Sequence, residues 1–289
     1  MIPKGFVRVT KSRPCPVCHK GDWCLTASDG SASICPRVPS ARLVGEAGYL
    51  HRHTDAAPTY LPTQPPRRVT IDATGICRQY QDAMTPGDYV TLGDSLGVTA
   101  SSLQGLGVGR ASQYLEGTYS FPMRDASDNI IGVRLRSKDG HKWAVYGSRS
   151  GLFYGSMEPG CDVFVCEGPT DAAALMDMGL CAIGKPSCNS GNDLLIEMVK
   201  KIHPGMVVIV SDVDSGRGPC TFCESQFCPQ CRPGQYGAEQ TAKAIHKLGI
   251  TVKVIEPIGA KDARAWKQRG AKRGTILAIV ENTPCWTVK

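Results

Sequence analysis

Two short apolar runs along the chain end abruptly in acids. Residues 162–171 read DVFVC-EGPTD and residues 206–214 read MVVIV-S-DVD. Each run is continuous and rich in β-branched residues, without the alternation of a half-exposed strand. Each therefore predicts a strand buried on both faces of a parallel sheet. The carboxyl ends of such strands form the ligand edge of an open α/β sheet. Glu167, Asp171, Asp212 and Asp214 are thus expected to converge. Clustered carboxylates repel unless a cation lies among them, and a hard, oxygen-seeking ion such as Mg²⁺ or Mn²⁺ is expected there.

The pattern between and around these runs completes a βαβ series. Residues 172–178 have helical spacing and residues 181–184 read as a short strand. The polar loop KPSCNSG follows, with Lys185 as a candidate phosphate contact against the plainer reading of an exposed loop lysine. Residues 192–202 form an amphipathic helix, residues 238–248 a helix ending at Gly249, and residues 251–256 a strand. Upstream, residues 73–110 read as short helices with glycines at their ends. In residues 118–155, apolar and polar positions alternate over 130–136 and 142–146, with D-N and D-G turns, which predicts an antiparallel meander. Arg134 and Arg136 share one face of it, Lys138 extends that face, and Lys142 adds to it, making a basic stripe suited to phosphates.

Composition changes the picture at two places. The chain of 289 residues has 14 cysteines and no apolar run near the ~20 residues needed to span a membrane. Its first residues lack the apolar core of a signal peptide, so a cytoplasmic location is expected and the cysteines point to metal rather than disulfides. Cys15, Cys18, Cys24 and Cys35 give a CxxC knuckle and a looser second pair, a Zn²⁺ site in which His19, His51 or His53 can replace one thiolate. Cys220, Cys223, Cys228 and Cys231 form CxxC-x4-CxxC among Gly and Pro, which predicts a second structural Zn²⁺, with a redox pair as the alternative. Residues 55–72 are Pro-rich and read as a linker. The formal charge of +7 falls to about +3 if both four-thiolate sites fill, so affinity for a polyanion has to come from local patches.

A strand ending in E-G-x-x-D, followed one strand–helix–strand later by D-x-D, resembles the TOPRIM fold of bacterial-type primases, topoisomerases and some nucleases. The series F-P-M-R-D, I-G-V-R-L-R, K-W-A-V-Y-G-S and G-L-F-Y-G is similar to the basic subdomain that precedes TOPRIM in bacterial and phage primases. The resemblance implies an α/β architecture of zinc module (1–54), linker (55–72), basic α+β subdomain (73–158) and TOPRIM parallel βαβ core (159–289). The chain departs from the family at about 215–235, where the knuckle insertion interrupts the run from D-x-D into its helix. Asp262 resembles the acid of the family's G-x-D-P-D, without the Pro-Asp, and is equally a helix N-cap.

The resemblance implies a DNA primase making short RNA primers on single-stranded DNA from ribonucleoside triphosphates. Asp212 and Asp214 would hold one or two divalent ions, with Glu167 as a further ligand or proton acceptor and Asp171 as support. Arg134, Arg136 and Lys142 match or adjoin the family's template- and nucleotide-binding positions, and the zinc module would select the initiation site, with Trp23 offering a stacking surface. No Walker motif is present, which leaves a separate replicative helicase open as a partner. The short chain points to a phage, plasmid or other mobile replicon. Two alternatives stay open: a metal-dependent TOPRIM nuclease, and a non-catalytic DNA-binding adaptor.

Overall fold

The structure is a computed structural model and describes residues 5–44, 47–53, 70–214 and 232–288. It divides into two compact units, Met1–Arg68 and Val69–Lys289, each treated by itself below. Among the described residues no helix is long and apolar enough to cross a membrane.

The first unit is an antiparallel sheet in the order β1 (Phe6–Arg8), β2 (Leu25–Ala27), β3 (Ala32–Cys35), β4 (Tyr49–Arg52). Asp29 accepts hydrogen bonds from Ser31 N and Oγ, and Gly30 takes a positive φ, which closes the β2–β3 turn. Among the described residues the core is small: Val9, Cys15, Cys24 and Cys35 with Val17, Cys18 and Val38 against them, and the buried Leu25, Ala27 and Ile34 of the sheet. So little apolar surface cannot offset chain entropy alone.

The second unit opens with three helices, α1 (Ala73–Asp82), α2 (Pro86–Leu96) and α3 (Ala100–Gly105). Asp72 caps α1 through Gly75 N at 2.9 Å, so it belongs to that helix rather than to the linker. Thr85 and Asp88 form a reciprocal capping box on α2, which ends at Gly97 in the left-handed conformation. An antiparallel sheet follows, β5 (Gly109–Arg110), β6 (Tyr119–Arg124), β7 (Ile130–Arg136) and β8 (Lys142–Ala144), in that spatial order. The expected meander is present, with β8 two residues shorter than its alternation implied.

The remaining elements are β9 (Val163–Glu167), α4 (Pro169–Asp177), β10 (Cys181–Lys185), α5 (Asn192–Ile202), β11 (Met206–Val210), α6 (Pro233–His246), β12 (Thr251–Ile255), α7 (Ala263–Gln268) and α8 (Arg273–Asn282). The strands form a parallel sheet in the order β10-β9-β11-β12. Alternate residues serve opposite faces. Val163, Val165, Val207 and Ile209 pack with α5 and α6, while Phe164, Cys166, Val208 and Val210 pack with α4, α7 and α8. Burial on both faces is the reason these strands read as unbroken apolar runs.

Helix α6 starts at Pro233, ahead of the expected residue 238. Pro233 suits a first helical position, and Gly234 and Gly237 are required by close approach rather than by flexibility. A Cβ at Gly234 would lie 2.8 Å from Asp212 O, and one at Gly237 2.6 Å from Cys188 O. The expected zinc knuckle of Cys220, Cys223, Cys228 and Cys231 lies outside the described residues.

Candidate functional site

The carboxyl ends of the parallel strands deliver the acids, as the chain pattern implied. Glu167 is the last residue of β9, Asp171 lies in the first turn of α4, and Asp212 follows β11. Gly168, at φ +83, turns the chain from β9 into α4, and Pro169 opens that helix. A cleft of about 350 Å³ is lined by the acids Glu167, Asp171, Asp212 and Asp262. It is also lined by Arg134, Arg136 and Lys142 from the antiparallel sheet, and by Lys261 and Arg264, which flank Asp262 at the start of α7.

The basic side is built by strand register. Arg134 pairs with Phe121 and Arg136 with Tyr119 across β6 and β7, while β8 sets Ala144 beside Arg134 and Lys142 beside Arg136. Phe121, the register partner of Arg134, is buried at 1% exposure and lines the cleft beside the arginines. Burial pushes the pKa of both arginines down from the usual guanidinium range. Arg134 Nε is buried without a hydrogen-bond partner. Lys138 departs from expectation: it lies past the end of β7 and lines a neighbouring cavity of about 320 Å³ with Arg110 and Arg136.

The acids are held under electrostatic stress. Burial pushes the Asp212 carboxyl up to about 8, and the negative charges of Asp171, Glu167, Asp262 and Asp214 add to the effect. Asp171 is pushed up to about 7 by burial and then by Asp262, against the pull of the Arg264 backbone N–H, which donates to its Oδ1 at 2.9 Å. Glu167 is raised by burial, while the Cys188 backbone N–H and the charges of Lys185 and Lys142 pull it down. Carboxylates this desolvated that also raise one another call for a cation. The donors are all hard oxygens, which fits Mg²⁺ or Mn²⁺.

Among the described residues, however, the carboxylates do not form a set whose oxygens all lie within 4.8 Å of one another. That openness suits Mg²⁺, which keeps several waters and binds through one or two carboxylates plus substrate phosphate.

Two candidates stand apart from this cleft. Asp214 Oδ2 accepts from Gly234 N at 2.7 Å, so one of its oxygens caps the start of α6. Lys185 is not on the exposed loop where the chain pattern put it. It is the last residue of β10, 4% exposed, and its Nζ donates to Cys188 O at 2.9 Å and Thr241 Oγ1 at 2.6 Å. Register explains the difference: Lys185 pairs with Glu167, so β10 runs one residue further than its apolar segment.

Lys261, Asp262 and Arg264 add to the cleft from the segment between β12 and α7 and the first turn of α7. Asp262 caps α7 through Ala265 N at 2.7 Å and also lines the cleft, so the two readings of it coexist. Arg264 carried no motif; only the K-D-A-R string after a strand marked it.

In the first unit the Sγ atoms of Cys15, Cys18, Cys24 and Cys35 lie within 4.8 Å of one another. Four thiols suit a closed tetrahedral Zn²⁺ site. The histidine substitution left open above does not occur. His51 Nε2 meets Val38 O at 3.0 Å, His53 Nε2 meets Ser33 Oγ at 2.8 Å, and His19 is exposed. Arg37 Nη1 reaches Cys24 Sγ at 3.5 Å and Cys18 Sγ at 3.7 Å. Burial raises the Cys18 thiol, but hydrogen bonds from the Lys20 backbone, Cys24 and Arg37 outweigh it and bring it to about 6. A thiol so lowered is ready to bind as thiolate.

No protein-family model matches the sequence, and no curated protein matches it. Solved structures do match. The DnaG catalytic core superposes with a TM-score of 0.54 at 15% identity, covering 74% of this chain and 79% of that one. The E. coli primase catalytic core gives 0.54 at 14% identity, with the same coverage. The Aquifex aeolicus primase, comprising zinc-binding and RNA polymerase domains, gives 0.54 at 14% identity over 74% of this chain and 60% of that one. At such identities the likeness is one of fold. The chain carries the bacterial primase catalytic fold, a TOPRIM-type parallel sheet preceded by a basic α+β subdomain, together with an N-terminal four-cysteine module.

Proposed function

We propose that the protein is a DNA primase that joins ribonucleotides into short primers on single-stranded DNA. The observation that carries this reading is the pairing, across one cleft, of Arg134, Arg136 and Lys142 with Glu167, Asp171 and Asp212. A polymerising site needs both sides: cations for triphosphate and template, and carboxylates where the primer hydroxyl attacks. Glu167 and Asp212, with the second oxygen of Asp214, would hold the divalent ion, which when bound neutralises charge developing on the phosphates. Arg134 and Arg136 bind the triphosphate through forked N–H groups, and Lys142 faces the template. Glu167 is the group placed to take the proton of the primer 3′-hydroxyl. Asp171, tied to Arg264 N, fixes the start of α7 beside the cleft. The DnaG catalytic domain has been solved bound to single-stranded DNA, which fits a template of that kind here. The zinc module then reads unpaired template bases.

Incorporation of labelled ribonucleotides on single-stranded DNA of mixed sequence, with Mg²⁺ or Mn²⁺, tests this. Short products from wild type that vanish in Glu167→Ala, Asp212→Ala and Asp214→Ala are expected. Shortened template without new product would replace the reading with a nuclease. DNA binding without any reaction would leave a non-catalytic adaptor.

A further inference from the structure

Lys185 is a buried cation for which the proposed chemistry has no use. Its ammonium is held by a carbonyl oxygen and a hydroxyl, Cys188 O and Thr241 Oγ1. Thr241 in turn meets Asn192 Oδ1 at 3.1 Å and Gly237 O at 2.8 Å, so the contact ties β10 to α5 and α6. Among the described residues Lys185 makes no direct ion pair. A charge this buried is costly unless something compensates it.

Part of the compensation comes from the acidic centre, beside Cys188. Lys185 and Glu167 are register partners on adjacent strands. A cavity of about 30 Å³, separate from the main cleft, is lined by Lys185, Thr241, Glu167 and Asp212 together. That space corresponds to about one water and admits no nucleotide phosphate. Glu167 and Asp212 thus line both this cavity, where they meet Lys185, and the main cleft.

We infer that Lys185 is a resident counter-charge of the acidic centre, a positioning residue that sets how tightly Glu167 and Asp212 hold a divalent ion. The inference rests on the reading of those two residues as the ion's ligands. A fixed cation beside them removes part of their mutual repulsion without occupying the cleft. It also lowers their pull on the ion, which keeps the ion exchangeable with each nucleotide. The charges feel each other in both directions: Lys185 pulls the Glu167 carboxyl down, and Cys188 and then Glu167 hold up an amine that burial lowers to about 8.

The test is a Mn²⁺ titration of the full-length protein, followed by the paramagnetic signal of the free ion. Lys185→Met and Lys185→Gln both remove the charge, and Gln keeps a donor for Cys188 O. Each is expected to tighten Mn²⁺ binding about tenfold, the sign that loss of a nearby positive charge requires. Thr241→Val removes the 2.6 Å hydrogen bond but keeps the charge, and is expected to leave Mn²⁺ affinity unchanged while lowering thermal stability. Unchanged or weaker Mn²⁺ binding in both Lys185 variants overturns the proposal and makes the lysine a strut between β10 and α6. Asp212→Asn separates the two levels: if it binds Mn²⁺ as wild type does, the ligand assignment fails, whatever Lys185 does.

Discussion

Phe153 and Gly184 exchange both of their backbone hydrogen bonds, Phe153 N to Gly184 O at 2.9 Å and Gly184 N to Phe153 O at 2.8 Å. One residue earlier, Leu152 does the same with Arg124, at 2.8 Å each way. The Leu152–Phe153 peptide therefore stitches β6 to β10 and joins the antiparallel sheet to the parallel one. Arg134 is set by β6 and Glu167 by β10, so this stitch fixes the basic side of the cleft against the acidic side. Thr99, the N-cap of α3, donates to Asp177 at the end of α4 through N at 2.7 Å and Oγ1 at 2.5 Å, which ties these two helices together.

Gly184→Ala tests the stitch. A Cβ there would stand 2.3 Å from Gly168 O, a backbone atom that cannot swing aside, and Gly168 follows Glu167 directly. The substitution is expected to cost about 1–3 kcal/mol of stability, read from chemical denaturation. Nucleotide incorporation at a temperature where the variant is fully folded is expected to fall at least tenfold, because Glu167 moves with its neighbour.

Arg134 sets binding against stability. Its Nε is buried without a partner and burial disfavours its charge, so the folded protein carries a cost that a phosphate ligand would relieve. Arg134→Met is expected to raise the melting temperature of the free protein. The same variant is expected to raise the KM for nucleotide about tenfold, since a charge-assisted contact is lost. A lower melting temperature with unaltered KM would assign the arginine to the scaffold.

The sequence displayed what depends on local period. Residues 192–202 and 206–210 were legible to the residue, because an amphipathic helix and a strand buried on both faces each leave a one-dimensional signature. Lys185 was not legible. It sits beside Pro186 and Ser187, which look like loop, and only pairing with Glu167 makes it part of a strand. The start of α6 was obscured by Gly234 and Gly237, whose backbone contacts to Asp212 and Cys188 come from segments distant in the chain. Asp214 as an N-cap for Gly234, and Arg264 as a cleft residue, arise the same way: the chain gives residue types, and tertiary pairing assigns their partners.

The four-thiol site of the first unit gives a prediction about folding. Its core is too small to hold residues 5–53 together without the metal. Cys24→Ser is expected to lower bound zinc by one ion, while the thermal transition of the second unit persists. Cys223→Ser is expected to lower bound zinc by one ion as well, independently, if the knuckle of the insertion binds its own Zn²⁺. Zinc content by atomic emission, beside calorimetry, reads both.

Asp171 makes stability depend on pH in a stated direction. Its carboxyl is 7% exposed and is pushed from the ordinary value near 3.8 up to about 7 by burial, with Asp262 adding to the push. A carboxyl raised in the folded state leaves that state binding more protons than the unfolded chain between the two values. Its unfavourable effect is absent below about pH 4 and grows as pH rises towards 7, up to about 4 kcal/mol at the limit set by that displacement. Asp171→Asn keeps an oxygen for the Arg264 N–H and removes the charge. In metal-free buffer it is therefore expected to raise the melting temperature at pH 8 and to leave it nearly unchanged at pH 4.5. Adding Mg²⁺ at pH 8 is expected to narrow the gap between variant and wild type, because the ion supplies the positive charge that the substitution makes unnecessary. A gap of equal size at both pH values would show that packing around Asp171, rather than its charge, sets the difference.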